Sequence, residues 1–280
     1  MVQWRRDSPW RQGHVLEPDT VIALGLDTSL SPGERVFVVV SHDCDLAQPP
    51  DIEPKCEIMM GDIVGTENGN FSWAKNPRRL HLPFTAGKNK IIVDLTAQDK
   101  CLIDKIVLAN HMPASSMCLT PEELRILQSW LAARYQRAAF PDEFEQRLKN
   151  GRARVHEKLS KILAKTGEHI VTIFFDVDRG KELDRDGADD PYELSIYLLY
   201  NVGKDPNIAR DVTSDAARDI ETIFREAFFI DAEWQNIELL DVSSISEEEM
   251  TVRQSRQLKR WNTDHLSLRE KPQHPMLDSD

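Results

Sequence analysis

Residues 35–41 read Arg-Val-Phe-Val-Val-Val-Ser, a β-branched and aromatic run that follows the turn-like Ser31-Pro32-Gly33. A short apolar run bounded by a turn signal predicts a buried β-strand. Further strand candidates lie at residues 55–64, 79–84 and 90–95. Segments rich in glycine, proline and asparagine separate these candidates, so residues 1–115 are predicted to form a small β-barrel or sandwich.

A helical segment is predicted next, over residues 116–167. Thr120-Pro121-Glu122-Glu123 places a hydroxyl at the N-cap, proline at the first helical position and glutamate three residues after the cap. Amphipathic patterns continue to Lys165, and Gly167 ends the run. The segment carries ten basic and six acidic residues, so we interpret it as a basic helical connector.

Residues 168–280 show a mixed pattern. Strand patterns lie at residues 169–177, 193–200 and 234–242, and helix patterns at residues 214–229 and 246–261. The order β-β-α-β-α favours an antiparallel sheet with helices on one face. The acidic stretch at residues 176–190 lacks the spacing of an EF-hand and is interpreted as a solvated hairpin loop. The fold class predicted for the whole chain is therefore α+β.

Charge and composition narrow the classes of function. The chain has 280 residues and a net charge of −12, and residues 168–280 carry 26 acidic against 13 basic side chains. No apolar run approaches the roughly 18 residues typical of a membrane helix, so we expect a cytoplasmic protein with no membrane partner. The four cysteines lack zinc-finger spacing and are expected to be reduced. The sequence indicates no particular cofactor.

The densest polar cluster is Ser41-His42-Asp43-Cys44-Asp45, directly after the first predicted strand. Cys44 is a candidate nucleophile with His42 as its base, and the same side chains with Asp45 are candidate metal ligands. The competing interpretation is structural: the aspartates cap a turn and Cys44 is a small buried side chain. Both interpretations stay open at the level of sequence.

The N-terminal region resembles the MazF/PemK-type ribonuclease toxins over roughly residues 10–110. Gln12-Gly13-His14-Val15 matches that family's opening strand, and residues 35–41 match its Arg-headed hydrophobic strand that ends in serine. Residues 91–98 and 103–105 are similar to a late strand and the segment after it. The resemblance implies an SH3-like barrel and a catalytic Arg35. His14 departs from the family, where an acidic residue is usual, and no proline follows Arg35. The chain as a whole resembles a prokaryotic family found beside phage-defence genes.

Three hypotheses of function follow. The first is a nucleic-acid-directed effector or defence component, such as a toxin-like endoribonuclease. Its RNA or DNA would be bound by basic side chains, which are Lys75, Arg78, Arg79, Arg152 and Arg154. His14, His42 and His81 are its candidate general bases.

The second hypothesis is a metal- or thiol-dependent hydrolase centred on His42, Cys44 and Asp45. The third is a non-catalytic component that binds a protein partner through its acidic C-terminal half. The residues alone leave open whether the protein is an enzyme.

Overall fold

A computed structural model describes the chain at residues 4–26, 35–133, 140–181, 183, 185–203 and 205–262. The chain divides into two compact units. Unit 1 comprises Met1–Glu67 and Pro77–Gln136, and unit 2 comprises Asn68–Asn76 and Arg137–Asp280. The predicted connector at residues 116–167 is therefore shared between the two units. Both units mix helices with a sheet, which confirms the α+β class at this level.

Unit 1 is built on a four-stranded antiparallel sheet with the order β1-β2-β4-β3. Its strands are β1 (Arg35–Val39), β2 (Lys55–Val64), β3 (Arg79–Ala86) and β4 (Asn89–Asp104). Strand β1 lies where the β-branched run predicted a buried strand, and its four valine and phenylalanine positions are all buried. The described strands form an open sheet, and no closed barrel is found among them.

Strand β4 pairs with β2 along two separate stretches. The register shifts between Met59 and Gly61 of β2: Met59 lies opposite Lys100 of β4, whereas Gly61 lies opposite Leu95. Such irregularities bend a strand and increase its twist. Gly61 permits the close approach, because a Cβ there would lie 2.6 Å from side-chain atoms of Val93 and Leu95.

In the described part of unit 1, four helices accompany this sheet: α1 (Pro18–Ala23), α2 (Asp43–Leu46), α3 (Lys105–Leu108) and α4 (Pro121–Ala133). The capping box predicted before α4 is confirmed. The amide of Thr120 donates to Glu123 Oε2 at 2.8 Å, and the amide of Glu123 donates to Thr120 Oγ1 at 3.3 Å. Isolated bridges pair Val15 with Val38, Leu16 with Pro113, and Thr85 with Cys118.

Unit 2 contains a four-stranded sheet with the order β10-β5-β6-β9. Its helices are α5 (Asp142–Asn150), α6 (Val155–Thr166), α7 (Pro206–Phe228) and α8 (Val252–Gln257). Its strands are β5 (Ile170–Val177), β6 (Tyr192–Tyr200), β9 (Ile237–Ser246) and β10 (Lys259–Arg260), with a separate hairpin of β7 (Phe229–Ile230) and β8 (Glu233–Trp234).

The sheet of unit 2 is mixed, so the prediction of an antiparallel sheet was wrong. Strands β5 and β6 pair antiparallel, but β6 and β9 pair parallel. The 23-residue helix α7 lies between them in the chain. Parallel neighbours need a long crossover connection, and a helix of about 35 Å supplies one that returns the chain to its starting edge. The sequence pattern located the helix but did not specify the direction of the strand after it.

One face of this sheet packs against the helices. Alternate residues of β6 are buried, and these side chains join α5, α6 and α7 in a single apolar core. Phe144 of α5 lies at its centre, with its ring edge-on to Phe175 and to Tyr192. The helices α5 and α6 therefore belong to unit 2 because their apolar faces complete its core.

Two glycines allow residues 68–76 to join unit 2. A Cβ on Gly69 would lie 2.1 Å from the carbonyl oxygen of Leu163, and one on Gly167 would lie 2.3 Å from that of Gly69. Ser72 donates to the carbonyl of Gly167 at 3.0 Å. The backbone of this segment therefore lies directly against the end of α6.

We predict that Gly167→Ala lowers the free energy of unfolding by about 2–4 kcal/mol, because backbone atoms cannot yield to the added methyl group. Gly65→Ala is the matched control, since nothing lies within 4 Å of its Cβ position. Urea unfolding of both variants measures the difference. Equal stability of Gly167→Ala and the unchanged protein would show that this close contact does not exist.

Candidate functional site

Four charged or titratable residues lie in one row across the sheet of unit 1. Arg35 of β1 is opposite Asp62 of β2, Asp62 is opposite Asp94 of β4, and Asp94 is opposite His81 of β3. Residues directly opposite in an antiparallel sheet share a face. The register therefore brings a guanidinium, two carboxylates and an imidazole to one face, which we call the Arg35 row.

Ion pairs connect the members of the Arg35 row. Arg35 Nε lies 3.0 Å from Asp62 Oδ1. Arg79, two residues before His81 on β3, donates from Nε and Nη2 to both oxygens of Asp94 at 2.7–3.0 Å. This bidentate arrangement fixes the carboxylate in the plane of the guanidinium. His81 Nε2 lies 3.8 Å from Asp94 Oδ1.

The two ends of the row differ in burial. The side chain of His81 is 5% exposed and that of Asp94 is 12% exposed, whereas Asp62 at the other end is 53% exposed. Burial lowers the pKa of His81, and Asp94 only partly opposes that shift. The imidazole is therefore neutral at physiological pH. At the other end, which we call the open end, Asp62 is exposed and the Arg35 side chain is 15% exposed.

Asp99 of β4 joins the open end electrostatically. Burial raises its pKa, the negative charges of Asp62 and Asp94 raise it further, and Arg35 partly offsets the increase. A carboxyl group with a raised pKa exchanges protons more readily near neutral pH than an ordinary aspartate does. The open end thus combines a guanidinium with an acid–base group.

His42, Cys44 and Asp45 lie together at the start of α2. His42 is the N-cap residue, and its Nδ1 accepts from the amide of Cys44 at 3.2 Å. Asp43 Oδ1 accepts from the amide of Gln12 at 2.8 Å. The turn is capped by His42 rather than by the predicted aspartates, Asp43 bonds to the distant Gln12, and Cys44 is exposed rather than buried. Nδ1 of His42, the imidazole nitrogen that faces Cys44, already accepts a hydrogen bond from the backbone amide of Cys44.

No set of three or more histidine, cysteine, aspartate or glutamate side chains in the described ranges is placed to hold a metal ion. The predicted cluster at His42, Cys44 and Asp45 is included in that statement. The geometry therefore gives the metal-dependent hydrolase hypothesis no support.

Lys75 was predicted to contact nucleic acid, but the structure buries it. Its side chain lies inside unit 2, and Nζ donates to Ser72 Oγ at 3.0 Å and to the carbonyls of Gly167 and Ile170 at 2.7 and 2.8 Å. Helix ends leave carbonyls without intrahelical partners, and an ammonium group satisfies them well. This placement corrects the surface position that the sequence suggested.

The other predicted nucleic-acid contacts are distributed over both units. Arg78 and Arg79 are partly buried in unit 1, and Arg79 is paired with Asp94. Arg152 and Arg154 are exposed in unit 2, where Arg154 precedes α6 in a left-handed conformation and lies 3.6 Å from Glu157. Of the predicted site residues, Arg35 and the candidate base His81 lie on the Arg35 row, and Arg79 contacts the row through its ion pair with Asp94.

The acidic loop of unit 2 is held by arginines rather than freely solvated. Asp178 is buried, pairs with Arg185 and accepts from the amide of Glu193 at 2.9 Å. Arg147 of α5 donates to the carbonyls of Gly187 and Asp190 at 2.8 and 2.9 Å. These contacts hold Asp178 and Arg185 in place, whereas Asp186 and Asp189 stay exposed to solvent.

The sequence did not identify Asp62, Asp94 or Asp99 as site residues. They are 27 or more positions from Arg35; the strand register aligns Asp62 and Asp94 with it, and Asp99 is linked to them through its electrostatic interactions with Asp62, Asp94 and Arg35. The relevant signal was that strand patterns contained a charged residue in their middle. That signal does not specify which strands are neighbours.

Comparison with family models, curated proteins and solved structures finds no match to this chain. In the described part of the chain, no helix combines the length and apolar character that crossing a membrane requires. The predicted toxin-like resemblance consequently stays a prediction.

We predict that His81→Gln weakens the loss of stability on acidification. The folded state lowers the pKa of His81 from its ordinary 6.5, so the unfolded chain binds more protons between the two values. Stability then falls as the pH drops through about 6.5, and His81→Gln removes that contribution. Urea unfolding at about pH 7 and pH 5 measures it. An unchanged pH dependence, or the same effect from His111→Gln, would contradict the assignment.

We also predict that Lys75→Met destabilises the protein by roughly 1–3 kcal/mol, because three buried acceptors, Ser72 Oγ and the carbonyls of Gly167 and Ile170, each lose a hydrogen bond. Lys88→Met, at an exposed turn residue, is the control and should change stability by less than about 0.5 kcal/mol. Thermal unfolding compares the two variants. A neutral Lys75→Met would return Lys75 to the surface role predicted from the sequence.

Proposed function

We propose that the protein is a nucleic-acid-directed effector that cleaves RNA at the open end of the Arg35 row. One observation carries the proposal: the strand register places Arg35, which the resemblance already marked as catalytic, beside carboxylates on one sheet face. Cleavage of a phosphodiester needs a cation at the phosphate and a group that moves protons. Arg35 and Asp99 supply these two properties.

In this proposal, Asp99 accepts the proton of the 2′-hydroxyl as its oxygen attacks the phosphorus. Arg35 stabilises the additional negative charge on the phosphate oxygens, and the 5′-oxygen leaves with a proton taken from solvent. The phosphate must compete with Asp62 for the guanidinium. Asp62 is 53% exposed and Arg35 15% exposed, so a phosphate has to displace the carboxylate from its solvent-facing side to reach the guanidinium.

The buried end of the row supports the open end. Asp94 lies on β4, between Asp62 of β2 and His81 of β3. Its ion pair with Arg79 holds the carboxylate, and therefore its negative charge, in place beside Asp62. His81 is too deeply buried to contact RNA directly, so we assign it a positioning role. This differs from the general base that the sequence suggested for it.

An SH3-like barrel, as the resemblance implies, is part of the proposal. The isolated bridges support it: residues 15–16 pair with β1 on one side and with Pro113 on the other, and Cys118 pairs with Thr85 of β3. Single bridges thus connect the two edge strands of the sheet. A cytoplasmic location and a place in prokaryotic defence belong to the same proposal, with Arg78, Arg152 and Arg154 as further contacts for RNA or DNA.

A non-catalytic role is the second candidate, and one observation favours it. The guanidinium of the row and the one beside it are already paired with carboxylates, Arg35 with Asp62 and Arg79 with Asp94. Charged side chains that pair only with one another are also expected on a sheet face that has a purely structural role. In that case the acidic C-terminal half would bind a basic protein partner.

We predict that Arg35→Ala abolishes cleavage of single-stranded RNA, with a loss of about 100-fold or more, because transition-state charge is no longer stabilised. Asp99→Asn should show a comparable loss by removing the proton acceptor. The measurement is the rate of cleavage of an end-labelled RNA by purified full-length protein.

Arg125→Ala, at an exposed arginine of α4, is the matched control and should retain full activity. Binding of the same RNA, measured by fluorescence anisotropy, should survive in Arg35→Ala and weaken with added salt. Cleavage that is unchanged in Arg35→Ala would refute the proposed site. Absence of both cleavage and salt-dependent binding in the unchanged protein would favour the protein-interaction role.

A further inference from the structure

Strand β9 is an edge strand of the sheet in unit 2. It stands last in the order β10-β5-β6-β9 and pairs with β6 from Ile237 to Ser246. An edge strand presents backbone N–H and C=O groups that can pair with an added strand. Leu240 is 45% exposed and Asp241 is also exposed, so this edge is accessible from solvent.

The hydrogen bonds at the end of β9 show which of its backbone groups point outward. The amide of Glu247 donates to the last carbonyl of β6 at 3.2 Å. In a parallel pair, every second residue directs its backbone groups to the neighbouring strand, so those of Val242 and Ser244 point away from β6. Ser246 also points outward, but its amide donates to Glu249 Oε2 at 3.1 Å, which closes that end of the edge. The middle of β9 is therefore the part available for an additional strand.

A bulge in β9 places two carboxylates on one face beside this edge. Glu238 lies opposite Glu193 of β6 and Asp241 lies opposite Ser195, so Leu240 is an extra residue between them. Glu193 and Ser195 are two residues apart and share a face, and therefore Glu238 and Asp241 share it too. This face is the one away from the helices, because the residue between Glu193 and Ser195 belongs to the helix-covered core.

The chain around this edge carries charge of one sign. Residues 226–252 contain eight acidic side chains and no lysine, arginine or histidine. Glu193 adds a further carboxylate directly opposite Glu238. Pairing of two copies through β9 would bring these acids together, and like charges on neighbouring strands destabilise a sheet. The edge therefore disfavours a second copy of this chain and favours a segment with positive charge.

We propose that β9 binds an extended, lysine- or arginine-rich segment of a protein partner as an additional strand of the sheet in unit 2. The outward backbone groups of Val242 and Ser244 form hydrogen bonds with this segment, and Glu238 and Asp241 contact its basic side chains. The inference rests on the protein-interaction role named above as the second candidate, and it gives that role a surface and a partner. It does not depend on RNA cleavage at the Arg35 row, which belongs to unit 1.

Fluorescence anisotropy of a labelled peptide with the full-length protein tests the strand addition. The probe has about ten residues of alternating lysine and threonine, and it should bind saturably and more weakly as salt is added. A peptide with glutamate in place of lysine should not bind. The lysine peptide with every backbone nitrogen methylated keeps its charges but has no N–H donors, so it should bind about tenfold more weakly or worse.

Two outcomes of this measurement contradict the proposal in different ways. Equal affinity for the methylated and unmethylated lysine peptides would overturn strand addition at β9 and leave the protein-interaction role with another surface. The absence of saturable binding of the unmethylated lysine peptide would overturn strand addition and the basic partner together. Neither outcome alters the expected cleavage of RNA.

Asp241→Lys should weaken binding of the lysine peptide about tenfold or more, because it places a like charge beside the edge. Glu221→Lys, at an exposed acid of α7, makes the same change in net charge and is the matched control that should bind normally. Ser244→Pro removes an outward N–H and should weaken binding to a similar degree. Thermal unfolding checks that each variant is folded, and if Ser244→Pro is not, the two lysine variants decide. Equal peptide affinity of Asp241→Lys and Glu221→Lys would overturn the proposal.

Discussion

The hydrogen-bonded register of β2 with its two neighbours is the constraint on which the arrangement of unit 1 depends. It aligns Arg35 with Asp62 and Asp62 with Asp94. Side chains alternate between faces, so a slip of one residue in any pair would send one member of the row to the other face. Gly61 and the shift beside it let β4 cross closely at that point. The electrostatics of the site are therefore a consequence of strand pairing more than of local sequence.

Prediction from the sequence succeeded where the signal was local. The β-branched run before Ser41 formed a buried strand, and the Thr120–Glu123 pair formed a capping box, because these patterns act over a few residues. It failed where the outcome depended on distant partners. The direction of β9 was set by the long helix before it. Lys75 resembled a surface cation, but the carbonyls that bury it lie more than 90 positions away.

The candidate site shows the same division between local and distant information. Arg35 could be selected from the sequence because it heads a strand and fits a family pattern. The carboxylates that define its chemistry come from β2 and β4, and their strand patterns do not state which strands are adjacent. The His42–Asp45 cluster was the more conspicuous local signal, yet its backbone contacts assign it largely to the start of a short helix. Local density of reactive residues was thus a weaker guide than cross-strand alignment.

The placement of residues 68–76 in unit 2 has a consequence for how the chain folds. The polypeptide leaves unit 1 after Glu67, returns at Pro77 and leaves again after Gln136. The segment between the first two crossings contains Lys75, which donates to carbonyls of residues 167 and 170. During synthesis, these nine residues emerge from the ribosome long before the strand and helix that receive them. Unit 2 cannot reach its final packing until its own half of the chain has been made. If the chain were cut after Gln136, residues 68–76 would still hold the two pieces together by their non-covalent packing within unit 2.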